Sequence, residues 1–300
     1  MAYKLCYNIF SYTKYHGRKE NRMINIFVDS SADYEMQELN DRQLGLIPLA
    51  VTMNGTTYAD GVDLQKNEFF EMLISSEKFP KTSQPSPSDF LSVFEKAKED
   101  GDEVICILLS SALSGTYQSA LLAKSMVDYE DIYVIDSLSA TYPIRIMTDY
   151  ACSLAKQGLS AKEIADKVAA LRPRVKLLAV LDTLEYLSKG GRIPKSVATI
   201  GEIARIKPVI TLTAEGEVGV LAKCIGKNKA MSRIMQEFSS MKSDPAFPCT
   251  TIFSYGTENC EAFEQKLTEN NYMITERMQI GAAIGSHIGP RAYGIVFVEE

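Results

Sequence analysis

A chain of 300 residues, 46% hydrophobic and 23% charged, has the balance of an ordinary globular protein, and its length carries a soft expectation of two domains. Its 32 Lys and Arg oppose 38 Asp and Glu for a net charge of −6, which argues against duplex nucleic acid as the main partner because such binders carry a basic face. No apolar run approaches the roughly 18 residues of a membrane span, and the absence of tryptophan leaves Phe and Tyr to supply any aromatic contact.

Residues 1–22 read as a disordered leader: Lys4, Lys14, Arg18, Lys19 and Arg22 face only Glu20, with tyrosines scattered between them. The apolar stretch from Leu5 is broken at Asn8, so no signal peptide is expected, and Met23 is a candidate natural start. Strands are predicted at 24–28, 46–52 and, after the Asn54-Gly55 hairpin signal, 56–59. Helices follow at 66–75 and 88–99, separated by a loop (80–87) that three prolines stiffen. Buried strands at 104–109 and 132–135 alternate with helices at 139–156 and 161–171, a pattern that makes a parallel sheet. The helix that stops at Arg172-Pro173 marks the domain boundary, which gives an N-terminal domain over 23–172 and a C-terminal domain over 173–300.

The second half predicts strands at 175–181 and 208–212, a hairpin at Glu215-Gly216 into 218–223, and a helix over 227–241. A βαβ unit follows (250–254, 258–268, 272–278), and a terminal strand closes the chain at 293–298. The fold class is α/β: two α/β domains, a parallel-sheet N-terminal one and a mixed-sheet C-terminal one, with a ligand between them.

The six cysteines at 6, 106, 152, 224, 249 and 260 include no Cys-x-x-Cys pair and no nearby histidine, so neither zinc nor disulfides are expected. Reduced cysteines and the missing secretory signal make the cytoplasm the expected location. Chemistry concentrates in polar loops. Ser110 to Ala120 follows a buried strand, where helix N-termini present unpaired N–H groups to anions. Ser114 or Thr116 would cap the next helix and Gly115 would admit a ligand to the backbone. The stretch has no P-loop lysine and no dinucleotide fingerprint, so nucleotide is unsupported. Thr82 and Ser83 lie in the proline-stiffened loop, where hydroxyls can be aimed at low entropic cost, or where they simply form a turn before the helix. Apart from His16 in the leader, His287 is the only histidine, placed by its neighbouring glycines and proline in a loop. Gly190-Gly191 ends a short helix, and Arg192 either caps carbonyls or recognises a carboxylate or phosphate.

The series Asp29-Ser-Ser-Ala-Asp33, Thr82-Ser-Gln-Pro-Ser86, Leu113-Ser-Gly-Thr-Tyr-Gln-Ser-Ala120, Asp136-Ser137, Leu184–Ile193, Ile206-Lys-Pro208 and His287-x-Gly-Pro290 resembles the DegV family, whose members include the fatty-acid-binding subunits of bacterial fatty acid kinase. The resemblance runs from about Met23 to the end. It implies two α/β domains clasping one long-chain fatty acid, with the carboxylate bound by Thr82, Ser83, Ser114, Gly115 and His287. Ser30, Ser31, Ser286 and Arg291 are further ligand-proximal candidates, and Arg192 matches a residue implicated in docking the partner. It also implies no catalytic residue, no metal and no cofactor beyond the bound lipid. A separate ATP-dependent kinase phosphorylates the presented carboxyl group, the acyl-phosphate feeds phospholipid synthesis, and lipid exchange involves transient contact with a membrane surface.

Two motifs depart from the family. His287-Ile-Gly-Pro-Arg291 replaces the common His-Thr-Gly-Pro-Gly, so Arg291 would reinforce anion binding or block the mouth. Thr141-Tyr-Pro-Ile-Arg145 replaces a glycine-rich helix start. Two other readings stay open: a sensor of another anionic lipid or metabolite, and a Ser114–His287 acyl hydrolase. The second lacks a Gly-x-Ser-x-Gly elbow and an evident Asp to orient the histidine.

Overall fold

The computed structural model describes residues 15–16, 22–198 and 206–300. Most of the expected leader lies outside the described residues. Its described part is joined to the fold, because strand β1 (Tyr15–His16) pairs antiparallel with β2 (Met23–Asp29) and Arg22 is ion-paired to Asp131 at 2.6 Å.

The first half continues with α1 (Met36–Arg42), β3 (Gly45–Ile47), β4 (Ala50–Met53), β5 (Thr56–Ala59), α2 (Lys66–Ser75), β6 (Lys81–Ser83), α3 (Pro87–Asp100), β7 (Glu103–Leu108), α4 (Thr116–Val127), β8 (Ile132–Asp136), α5 (Tyr142–Lys156) and α6 (Ala161–Leu171). Strands β3, β2, β7 and β8 run parallel. β7 is an unbroken apolar run because both faces are covered: Ile105 and Ile107 enter one cluster, Val104, Cys106 and Leu108 the other.

Three expectations are corrected here. The predicted strand 46–52 is two strands in different sheets, since Pro48 has no N–H for a ladder and the chain turns there from β3 to β4. The loop expected at 80–87 contains β6, which pairs antiparallel with β4 so that Thr82 lies opposite Val51. Helix α5 starts at Tyr142 rather than 139, after Leu138 and Thr141 take positive φ. The short α1 gave no periodic signal because only Leu39 of its residues is buried.

A 3-10 turn over Arg172–Arg174 leads into the second half: β9 (Val175–Val180), α7 (Glu185–Lys189), α8 (Lys195–Ala198), β10 (Ile206–Leu212), β11 (Val218–Ile225), α9 (Lys227–Ser239), β12 (Thr250–Phe253), α10 (Glu258–Glu269), β13 (Glu276–Gln279), α11 (Ala282–Ile288) and β14 (Tyr293–Val298). The sheet order is β11-β10-β9-β14-β12-β13, all antiparallel except the β12–β13 pair. The fold is therefore α/β, with a parallel first sheet and a mixed second one, as expected from the pattern of elements.

Period-two alternation gives the second sheet two unlike faces. Leu178, Val180, Val209, Ile295 and Phe297 pack with Ile234 and Phe238 of α9 and Phe263 of α10. Leu177, Ala179, Leu181, Ile210 and Ile252 point the other way, toward the first half. Among the described residues no helix is long and apolar enough to cross a membrane, and no group of His, Cys, Asp and Glu is placed to hold a metal ion.

Candidate functional site

The second face of the mixed sheet does not close against the first half. A cleft of about 820 Å³, its open mouth included, lies between them. Leu177, Ala179, Leu181, Ile210, Leu212 and Ile252 form one wall; Leu49, Leu109, Leu113 and Ala140 form the other. Its walls are predominantly aliphatic, as is typical of sites that take an apolar ligand. The polar groups on its lining are few: Thr82, Ser114, Thr141, Arg192, His287 and Tyr293.

The hydroxyls are delivered by tight local folding. Asp29 is fully buried at the end of β2 and accepts from the Ser31 hydroxyl, from Ser31 N at 3.0 Å and from Leu109 N at 2.7 Å. Its carboxylate thereby stitches the Asp29–Asp33 turn to the start of the Ser110–Ser114 loop, and burial pushes its pKa up to about 6. Ser114 Oγ lies 2.9 Å from Thr116 Oγ1 at the start of α4. The helix N-cap is Gly115, and Ser114, one residue before it, accepts from Thr116 N only through a long bond of 3.4 Å. A Cβ on Gly115 would meet Gln84 Oε1 at 2.2 Å, so this glycine makes room for Gln84 rather than for a ligand.

His287 lies at the end of α11, not in a loop as expected, because Gly285 and Gly289 are tolerated there by close packing: a Cβ on Gly285 would meet Phe70 at 2.7 Å. Its Nε2 is 2.8 Å from Thr82 Oγ1, across 205 residues of chain. Its Nδ1 is buried without a partner, against Gly190, where a Cβ would meet it at 2.2 Å. A buried orphan N–H is rarer and costlier than an orphan acceptor. The proton therefore belongs on Nε2, which donates to Thr82 and frees the Thr82 hydroxyl proton for an anion. Burial, and then the nearby Arg192 charge, push the His287 pKa down to about 4, so the ring is neutral near pH 7. Arg192 is half-buried and donates from Nε to Leu113 O (3.0 Å) and from Nη1 to Gly190 O (2.6 Å), and burial lowers its pKa.

Thr82, Ser114, His287 and Arg192, distant in sequence, thus line one cleft. The other candidates do not. Ser83 is exposed at the far end of β6. Ser30 accepts from Leu49 N at 3.0 Å and Ser31 serves Asp29, so both build the turn. Ser286 donates to Ala282 O within its helix at 2.7 Å. Arg291 is exposed beside Asp182, Lys207, Lys227 and Asn259 and is not among the residues lining the cleft. Ile288 does line the cleft, and the absent family hydroxyl there leaves an aliphatic wall. Sequence reasoning missed Thr141 as a lining group; its signal was the substituted helix start, where a non-glycine residue holds φ at 56°.

The family profile described as an uncharacterised protein of the DegV family matches residues 23–300. A DegV domain-containing protein of Caldanaerobacter subterraneus subsp. tengcongensis is 35% identical over 279 residues, covering 92% of this chain and 99% of the relative. Among solved structures, a fatty-acid-binding DegV family protein of Thermus thermophilus superposes with a TM-score of 0.82 at 30% identity, over 92% of this chain and 99% of that one. A stearic-acid-binding protein of Eubacterium ventriosum superposes with a TM-score of 0.79 at 28% identity, over 92% and 98%. With a profile that spans all but the first residues and a relative at this identity, the chain belongs to the DegV family.

Proposed function

We propose that this protein is a non-catalytic carrier of a long-chain fatty acid. Its acyl chain lies in the cleft between two domains (23–172 and 173–300), and its carboxylate meets Thr82, Ser114 and His287. The observation that carries the reading is an aliphatic cleft whose few polar lining groups include Ser114 and the hydrogen-bonded pair of Thr82 and a neutral His287. The fatty acids bound by the Thermus and Eubacterium relatives support it. Burying about fourteen methylenes at about 0.8 kcal/mol each gives roughly 11 kcal/mol gross, from which lost ligand freedom subtracts several. Tail burial therefore supplies the affinity. The head needs only compensation for desolvation, and hydroxyl donors to a charged acceptor, each contributing about 1.5–3 kcal/mol, provide it.

In this reading the protein presents the carboxyl group to an ATP-dependent kinase for conversion to acyl-phosphate, in the cytoplasm, after lipid exchange at a membrane surface. Arg192 is the proposed docking residue, its exposed half available beside the cluster. The hydrolase alternative is disfavoured by geometry. His287 Nε2 is engaged by Thr82 rather than Ser114, no carboxylate orients Nδ1, and a ring titrating near 4 is a weak base at neutral pH.

Native mass spectrometry of the purified protein tests the reading. A non-covalent adduct of fatty-acid mass, released on denaturation, is expected. A covalent acyl group on Ser114, or no adduct even after incubation with palmitate and oleate, overturns it.

A further inference from the structure

Two buried carboxylates in the first half grip the helix that carries His287, and the headgroup cluster does not itself contain either of them. Helix α11 has only seven residues, with glycines at 281, 285 and 289 beside or within it. So short and glycine-rich a segment has no intrinsic reason to hold its shape. Its N-terminal N–H groups are satisfied from outside. Asp33 Oδ1 accepts from Gly281 N at 2.8 Å and Asp60 Oδ1 from Ala282 N at 3.2 Å. A Cβ on Gly281 would meet Asp33 Oδ1 at 2.7 Å, so the glycine permits this close approach.

Asp33 does more than cap. Its other oxygen accepts from Thr141 Oγ1 at 2.6 Å, and Thr141 lines the cleft from the start of α5. One carboxylate therefore couples two walls of the cleft, the Thr141 segment and α11. Asp33 and Asp60 are 3% and 2% exposed, so neither can serve as a solvated surface charge. Lys66, which donates to Asp33 O at 2.8 Å and pairs with Glu35 at 2.7 Å, is the cation that moderates both charges. At about 1.5 Å per residue, α11 spans roughly 10 Å, so a tilt of about 6° at the clamped end moves the His287 end by about 1 Å relative to Thr82.

We infer that Asp33 and Asp60 are positioning residues for the ligand carboxylate: by anchoring the start of α11, and through Asp33 also Thr141, they hold His287 at hydrogen-bonding distance from Thr82. The inference rests on the fatty-acid reading above and goes beyond it, because it assigns head-group selectivity to residues that do not touch the ligand.

The test compares affinities for palmitic acid and for hexadecanol, which share a tail and differ in the head, in the wild type and in D33N and D60N. At pH 8, above the range in which both groups titrate, the isosteric amides keep an acceptor for the helix but lose the charge, and the single amide oxygen of D33N cannot replace both carboxylate oxygens that accept from Gly281 and Thr141. D33N is expected to reduce the acid-to-alcohol preference about tenfold and D60N about threefold, with hexadecanol affinity unchanged. The imidazole nitrogen signals of His287, assigned by their loss in H287Q, are expected to shift in D33N. Equal loss of acid and alcohol binding would make the carboxylates merely structural, and an unchanged preference would make them irrelevant; either result overturns the inference while sparing the fatty-acid reading. A wild type that binds neither compound overturns both. Should D33N not fold, D60N and the His287 signals decide the matter by the same criteria.

Discussion

The two faces of the second sheet are made by the same strands and end in opposite conditions. On one face Phe238, Phe263 and Phe297 fill the space under α9 and α10, with ring centroids 4.9 Å apart for Phe238–Phe297 and 5.5 Å for Phe263–Tyr293. On the other, Ala179, Ile210 and Ile252 face an apolar cleft that no helix fills. Protein interiors are ordinarily packed as densely as organic crystals, so aliphatic walls around an unfilled space forfeit contacts that a tail would restore. Stability is concentrated on one face and binding on the other.

Substitutions on the two faces should therefore fail differently. The largest effect is expected for Phe263→Ala, a fully buried ring in the packed face: a loss of about 3–5 kcal/mol in denaturant unfolding, with fatty-acid affinity unchanged while the protein stays folded. Ala179→Phe on the open face should reverse the pattern. A ring in the cleft is expected to reduce palmitate affinity a hundredfold or so, and to leave the unfolding midpoint of the lipid-free protein unchanged or raised. If Ala179→Phe lost stability and kept affinity, the contrast between the faces would be wrong.

Smaller changes sharpen the polar end. Gly190 has φ −72°, so alanine is unstrained in its backbone, yet its Cβ would lie 2.2 Å from His287 Nδ1. Gly190→Ala is expected to displace the imidazole from Thr82 and to weaken palmitate, but not hexadecanol, about tenfold in a competition titration. Acid pH probes the same ring. A histidine whose folded pKa is about 4, against about 6.5 unfolded, contributes stability above pH 6.5 that is lost as pH falls toward 4. Asp29, Asp33 and Asp60, raised to about 6, 7 and 6, act with the opposite sign: their contribution is present below the unfolded pKa near 4 and lost as pH rises through those values. The difference between wild type and H287Q isolates the ring, and should shrink by a few kcal/mol between pH 6.5 and 4; a constant difference would mean that His287 is not held neutral. The smallest effect is expected for Ser114→Ala: a three- to tenfold loss of palmitate affinity with the melting temperature little changed, since the Ser114 hydroxyl meets the helix start only through the 3.4 Å bond from Thr116 N.

Much of the fold is legible from local pattern. The run from Val104 to Leu108 could only be a strand covered on both faces, and Tyr293–Val298 falls where the apolar run places it. Alternation failed where a proline or a short polar element intervened, at Pro48 and in α1. Residue by residue the candidate site is legible only as a list; its convergence on one carboxylate was implied by the family resemblance alone. Glycines around His287 suggested a loop, yet packing against Phe69 and Phe70 imposes a helix that propensity opposes. The serines of the Asp29–Asp33 turn looked like ligand groups, since a hydroxyl that completes a turn and one that binds an anion are the same residue type in sequence.

By itself the sequence determined most of the strand and helix alternation, the α/β class and the family, because these follow from periodicities of two and 3.6 residues and from motifs whose order survives without coordinates. Tertiary structure alone decided which polar residues converge: Thr82 and His287 meet across 205 residues, and Asp33 reaches Gly281 across 248. Such pairings depend on how one sheet face and one short helix dock against another half of the chain. No local pattern encodes that geometry, since each partner's own neighbourhood is equally consistent with a turn, a cap or a solvated surface.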